Sequence, residues 1–212
     1  MSVQLYLVIF VLITFLTLIF SSVTTYSVMK KDFQNKIKLD VTLEQMIESE
    51  NRISKFCIDN NIKAGEPLSK IAKILNVEQG GMDRSISGQA CLKEVGVSQK
   101  KVVVFKNKLS EKEKNFVFAH EIAHLLNGDS IPVTRPNGRN KSEREQIADY
   151  TAAALLMPMD AVYHFLIQNN YINSTVKEKK KMLYMLCNQY HVTEMIVLRR
   201  IKEVCAVKQL VQ

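Results

Sequence analysis

The 212-residue chain has only four cysteines, Cys57, Cys91, Cys187 and Cys205, and no CxxC pair. Their wide separation excludes a tight disulfide framework and suits a reducing compartment. No internal repeat and no low-complexity tract is present, and 47% hydrophobic content supports a real core, so the chain is not a disordered protein. Charge is missing from the first 29 residues altogether. The whole net charge of +8 therefore lies in residues 30 to 212. It favours acidic partners, the anionic inner leaflet and nucleic acid among them, although a solvated basic surface accounts for it equally well.

From Val3 to Val23 the sequence is apolar, interrupted only by residues such as Thr14 and Thr17, which can bond back to their own helix. About 20 such residues match the ~30 Å hydrocarbon core of a bilayer. No Lys or Arg precedes the run and no Ala-x-Ala follows it, both of which a cleaved signal peptide wants. A retained transmembrane anchor is expected within residues 1–29, reaching through the membrane with residues 3–23. Lys30, Lys31, Lys36 and Lys38 follow the run, so the positive-inside rule places the rest of the chain in the cytoplasm. The expectation is a single-pass cell-membrane protein.

Beyond the anchor, helical and strand textures alternate. Residues 30–79 read as juxtamembrane and N-terminal helices: "TLEQMIESENRISKFC", with Thr42 and Gln45 forming a capping box, then "GEPLSKIAKILNV", with Pro67 in the first turn. Residues 80–160 form the expected core. Between Gly80 and Lys106, "SISG", "QACLKEVG" and "KVVVFKN" predict a small three-stranded sheet with "KVVVF" as its most buried member. "LSEKEKNFVFAHEIAHLLN" predicts a helix capped by Ser110 and stopped by Asn127-Gly128. A surface loop follows, and "SEREQIADYTAAALLM" predicts a second helix, with Ser142 as cap, Glu145 at the capping-box position and Pro158 just past its end. Residues 161–212 continue as a C-terminal helical segment. The fold class expected is α+β, mainly helical.

The chemistry concentrates in "NFVFAHEIAHLLNGD". Residues four apart share one helix face, so His120 and His124 can aim both imidazoles at one point, where zinc would accept nitrogens at ~2.0–2.1 Å. Glu121 lies about 100° further round the helix, placed to act as general base without ligating. A catalytic zinc needs a third protein ligand and an open position. Glu145 is the candidate, on the next helix after 20 intervening residues, and Asp149 follows it by one turn, giving HExxH(20)ExxxD. Asp149 could accept the N–H of a ligand histidine and so fix its tautomer.

These residues resemble the ImmA/IrrE family of zinc-dependent metallo-endopeptidases, typified by "NFVFAHEIAHLLNGD" followed by "EREQIADYTAAALLMP"; the likeness covers roughly residues 40 to 205. The resemblance implies a zincin-like fold with a minimal sheet beside the zinc helices, His120, His124 and Glu145 as metal ligands, and Glu121 as base. It also implies a protein substrate, a helix-turn-helix repressor, and a role in transcription regulation. Three features depart from the pattern: Asp149 stands where the family usually has Asn, Ile147 and Thr151 replace other usual residues, and the N-terminal anchor is additional.

Lesser signals remain. His164 and His191 have no ligand partners at metal spacing and read as structural or exposed. "NQYHVTEMIVLRRIKEV" has a helix-turn-helix texture, with Arg199 and Arg200 as a conceivable nucleic-acid contact, yet Glu194, Met195, Ile196 and Val197 occupy the positions where a recognition helix wants polar residues. Arg135, Arg139, Lys141 and Arg144 border the expected cleft and could steer an acidic substrate segment. The function expected is therefore a membrane-anchored zinc endopeptidase acting on a regulatory protein. The alternative is a non-proteolytic regulatory or DNA-binding scaffold with the same fold.

Overall fold

In the computed structural model, residues 40–62, 68–85, 90–96, 100–106, 108–129 and 142–211 are described. The expected anchor, its flanking lysines, Pro67 and the loop residues Arg135, Arg139 and Lys141 lie outside them.

Helix α1, Leu43–Asp59, starts where the sequence demands. Thr42 Oγ1 accepts the Gln45 N–H at 3.2 Å, and Gln45 Oε1 accepts the Thr42 N–H at 2.8 Å, so two otherwise orphaned amides are satisfied reciprocally. A short helix α2, Leu68–Ile74, follows and leads through Asn76, whose φ is +54°, into the sheet.

The sheet has three strands: β1, Val77–Met82; β2, Ala90–Val95; and β3, Lys100–Phe105. Their order is β1-β3-β2, with β3 parallel to β1 and antiparallel to β2. "KVVVF" is thus the central strand, with Val103 and Phe105 buried. Of "SISG", the first strand expected, Ser85 lies in a turn and the rest lies outside the described residues; the first described strand begins at Val77. Its "VEQGGM" is not among the expected strands, and its paired glycines carry little strand signal, yet one of them is required by the pairing. A Cβ at Gly80 would stand 2.6 Å from Val102 Cγ1, so only glycine lets β1 approach β3 here.

Two long helices carry the centre of the molecule. Helix α3, Glu111–Leu126, opens with a reciprocal capping box between Ser110 and Glu113. Helix α4, Glu143–Leu156, opens on Ser142, whose Oγ accepts the Glu145 N–H, but the reciprocal half of the expected box is absent. Val117, Phe118 and Ile122 of α3 face the sheet and join Leu92, Val103 and Phe105 in one core cluster. Ala119 and Ala123 of α3 meet Ala148 and Ala152 of α4 in a seam of small residues. With no large side chain between them the two helices approach closely, and the polar residues adjoining those alanines are drawn together.

The C-terminal part is all helical: α5, Met159–Gln168; a 3-10 turn, Tyr171–Asn173; α6, Val176–Gln189; and α7, Glu194–Val211. These elements enclose a second core containing Leu166, Leu183, Leu186, Val197 and Ile201, joined by Ala153 and Met157 at the end of α4. The described residues are therefore mainly helical with a small mixed sheet, an α+β arrangement. Among them no single helix is long and apolar enough to cross a membrane. Only α4 with α5, bent by 63°, passes by length and composition, and most of α4 is buried in the core.

Candidate metal centre

The i, i+4 spacing on α3 places His120 and His124 side by side, their ring centroids 4.7 Å apart and their Nε2 atoms 3.1 Å apart. Across the alanine seam α4 brings in Glu145. Its Oε2 lies 3.3 Å from His120 Nε2, and its Oε1 lies 3.5 Å from His124 Nε2. This explains the incomplete capping box, because the Glu145 carboxylate faces the imidazoles while only its backbone N–H serves the cap. All three side chains are buried.

The remaining ring nitrogens settle the tautomers. His120 Nδ1 is 2.8 Å from Asp149 Oδ1, and His124 Nδ1 is 2.6 Å from Asp129 Oδ2. A nitrogen held that close to a carboxylate carries the hydrogen, which leaves the Nε2 lone pairs facing each other and Glu145. Two lone pairs and a carboxylate in a buried space repel unless a cation sits among them. Burial pulls the His120 pKa down, but hydrogen bonds donated to Asp149 and Glu145 outweigh it and raise it to about 9, so a proton answers that demand when no metal does.

The donor set is compatible with a metal ion. Metal–ligand bonds of 2.0–2.1 Å in a tetrahedron imply ligand atoms roughly 3.3 Å apart; the two Nε2 atoms are 3.1 Å apart, and one Glu145 oxygen lies 3.3 Å from His120 Nε2 while the other lies 3.5 Å from His124 Nε2. His120, His124 and Glu145 form the group among the described residues able to hold a metal ion. His120, His124 and Glu145 would supply three donors to such an ion, which is the number a catalytic site uses when it keeps one position open. Glu121, the residue directly after His120 on α3, is buried at 2% exposure.

A family model, Peptidase_M78, described as an IrrE N-terminal-like domain, matches residues 82–202. The chain belongs to this family. The matched span runs from the end of β1 into α7 and takes in both histidines, Glu121, Glu145 and Asp149. Membership in the IrrE N-terminal-like family marks the chain as a metallopeptidase type, in keeping with the ImmA/IrrE resemblance of its motifs. No curated protein matches the chain.

Asp129 is the residue the motif did not reveal. Gly128, at φ +78°, ends α3 in a left-handed turn in which the Asp129 N–H reaches the His124 carbonyl at 2.9 Å and the Gly128 N–H the Leu125 carbonyl at 3.1 Å. That closure folds the Asp129 side chain back onto the His124 ring, and Arg144 Nε pairs with its other oxygen at 2.9 Å. The signal in the sequence was the Asn-Gly stop with an acidic residue directly after it. Arg144 thus faces a carboxylate of the site as well as solvent.

The other residues singled out lie away from the three donors or behind them. His164 and His191 are exposed, and His191, at φ +51°, occupies the left-handed position after α6. Thr151 is buried and donates to Asn127 Oδ1 at 3.3 Å; Ile147 is half-buried. Tyr150 donates its hydroxyl to Glu50 at 3.0 Å, and burial pushes its pKa well above the usual range. Arg200 is fully buried and Arg199 pairs with Asp149 and Glu203, so neither guanidinium is presented outward to a phosphate.

Proposed function

We propose that the chain is a membrane-anchored, zinc-dependent endopeptidase that cleaves a regulatory protein, a helix-turn-helix repressor by its family resemblance. The observation that carries the reading is the buried cluster of His120 Nε2, His124 Nε2 and the two Glu145 carboxylate oxygens, with both histidine Nδ1 atoms held by carboxylates. Zinc would be held by His120, His124 and Glu145, and when bound it supplies a Lewis acid and lowers the pKa of its water to about 7. Asp149 and Asp129 hold the imidazoles in the tautomer that leaves Nε2 free to ligate. Glu121 takes the proton from the attacking water and delivers it to the amine nitrogen released when the scissile C–N bond breaks. The buried surroundings keep these charges from being screened.

The apolar run over residues 3–23 supports anchoring, and the four lysines after it support a cytoplasmic peptidase domain. A peptidase tethered to the inner face would meet few substrates, which suits a regulatory role.

The test compares cells producing the wild-type chain with cells producing Glu121→Gln, both carrying one zinc per chain. New protein N-termini are profiled in each. The expected result is a neo-N-terminus inside a DNA-binding protein, seen with the wild type and missing with the variant. Equal profiles with zinc bound in both would overturn proteolysis and favour the scaffold alternative.

A further inference from the structure

The buried charges behind the metal centre extend well past the residues that touch it. Asp149 divides its oxygens between two neighbours: Oδ1 faces His120 Nδ1 at 2.8 Å, and Oδ2 accepts from Arg199 Nη1 at 3.0 Å. Arg199 is itself held from the other side, since its Nε donates to Glu203 Oε1 at 2.8 Å. Both carboxylates are buried, and the guanidinium between them is a planar fork whose donors point in fixed directions. Arg199 therefore has little freedom, and neither does the carboxylate it grips.

We infer that Arg199, on the last helix, is a positioning residue of the metal centre: it holds Asp149 in the rotamer that aims the His120 Nε2 lone pair at the metal. Two features of the geometry carry this. First, Asp149 sits in the interior, one helical turn after the buried Glu145, where a further negative charge is costly unless it is paired, and Arg199 supplies a pairing cation. Second, with Oδ2 fixed by the guanidinium, Oδ1 is left in the single position from which it can accept the His120 N–H. The chain of contacts runs α7 to α4 to α3, so the C-terminal helix belongs to the peptidase site although none of its residues ligates. The charge-bearing Asp149 and the cation behind it make one unit. An asparagine in place of this aspartate would accept the same N–H without needing the partner.

The inference rests on His120, His124 and Glu145 binding zinc, and the experiment separates the two. Zinc affinity of the purified full-length chain is measured by competition with a chromophoric chelator for the wild type, Arg199→Ala, Arg199→Lys, Asp149→Asn and the double variant Arg199→Ala with Asp149→Asn. Loss of an outer hydrogen-bonding partner typically weakens metal binding 10- to 100-fold. Arg199→Ala is expected to fall in that range, and Arg199→Lys, which keeps a cationic donor, to stay within about threefold of wild type. In the Asp149→Asn background, removing Arg199 is expected to change affinity less than about twofold, because a residue acting only through Asp149 has nothing left to act on. The visible spectrum of the cobalt-substituted protein should shift with Arg199→Ala only where Asp149 is kept.

Should Arg199→Ala misfold from leaving Glu203 with only its longer contact to Arg200, at 3.5 Å, Arg199→Ala with Glu203→Gln removes both charges and is expected to show the same loss of affinity. Equal losses with Asp149 kept and with Asp149→Asn, or no loss in either background, would overturn the inference. Absence of zinc from the folded wild type would instead overturn the metal-centre reading itself.

Discussion

At the scale of single residues, the two histidines are set by what stands behind them. Asp149 lies one turn after Glu145, so its pairing with a ligand histidine was legible from helical periodicity, while the structure shows that the histidine is His120. Asp129 was not, because its approach to His124 depends on a left-handed backbone turn and not on spacing along a helix. The same surroundings set a pH dependence. Folded, metal-free chain holds the His120 proton up to about pH 9, whereas the unfolded chain releases it near 6.5. This group's contribution to stability is therefore fully present below pH 6.5 and is lost as pH rises through about 9. Proton and metal compete for the same nitrogen, so zinc affinity should increase up to about tenfold per pH unit across that window. Chelator titrations at about pH 7 and about pH 8 check the slope, and thermal melts of metal-free chain check its sign.

At the scale of elements, helix ends decide where the donors stand. The capping box at Thr42 and the cap at Ser110 were readable because they use local pairs three residues apart; the reciprocal bond from Glu113 that completes a box at Ser110 was not foreseen. The one at Ser142 was over-read, since Glu145 has two claims on its side chain and the buried imidazoles prevail. β1 was not among the expected strands, because paired glycines carry no strand texture unless the strand they must pack against is known. The end of α3 offers a direct test. Gly128→Ala forces a Cβ into a left-handed conformation, which should cost about 1 kcal/mol of stability. It should also weaken zinc binding by displacing Asp129 from His124, as isothermal titration would register; an unchanged affinity would mean that the turn does not position Asp129.

At the scale of the whole molecule, one buried arginine ties distant stretches of chain. Arg200, 0% exposed, donates to Glu50 of α1 at 2.6 Å and to the Met157 carbonyl at the end of α4 at 2.9 Å, and stands over the Tyr150 ring. In the sequence "LRR" suggested a basic face, because nothing local marks which arginines meet carboxylates 150 residues away. Removing one partner from a buried charge network strands the others. Arg200→Ala should therefore destabilise by about 3–5 kcal/mol. Urea unfolding measures this, with Lys208→Ala, at the half-exposed pair with Asp160, expected to change stability by less than about 1 kcal/mol.

The division of the donors between α3 and α4 has one more consequence. An ion gripping His124 and Glu145 closes a loop of the 20 residues between them, as a covalent cross-link would. By the chain entropy such closure removes from the unfolded state, a cross-link of that span is worth roughly 3 kcal/mol. The catalytic ion would then double as a staple, and starving the protein of metal would shorten its lifetime as well as silence it.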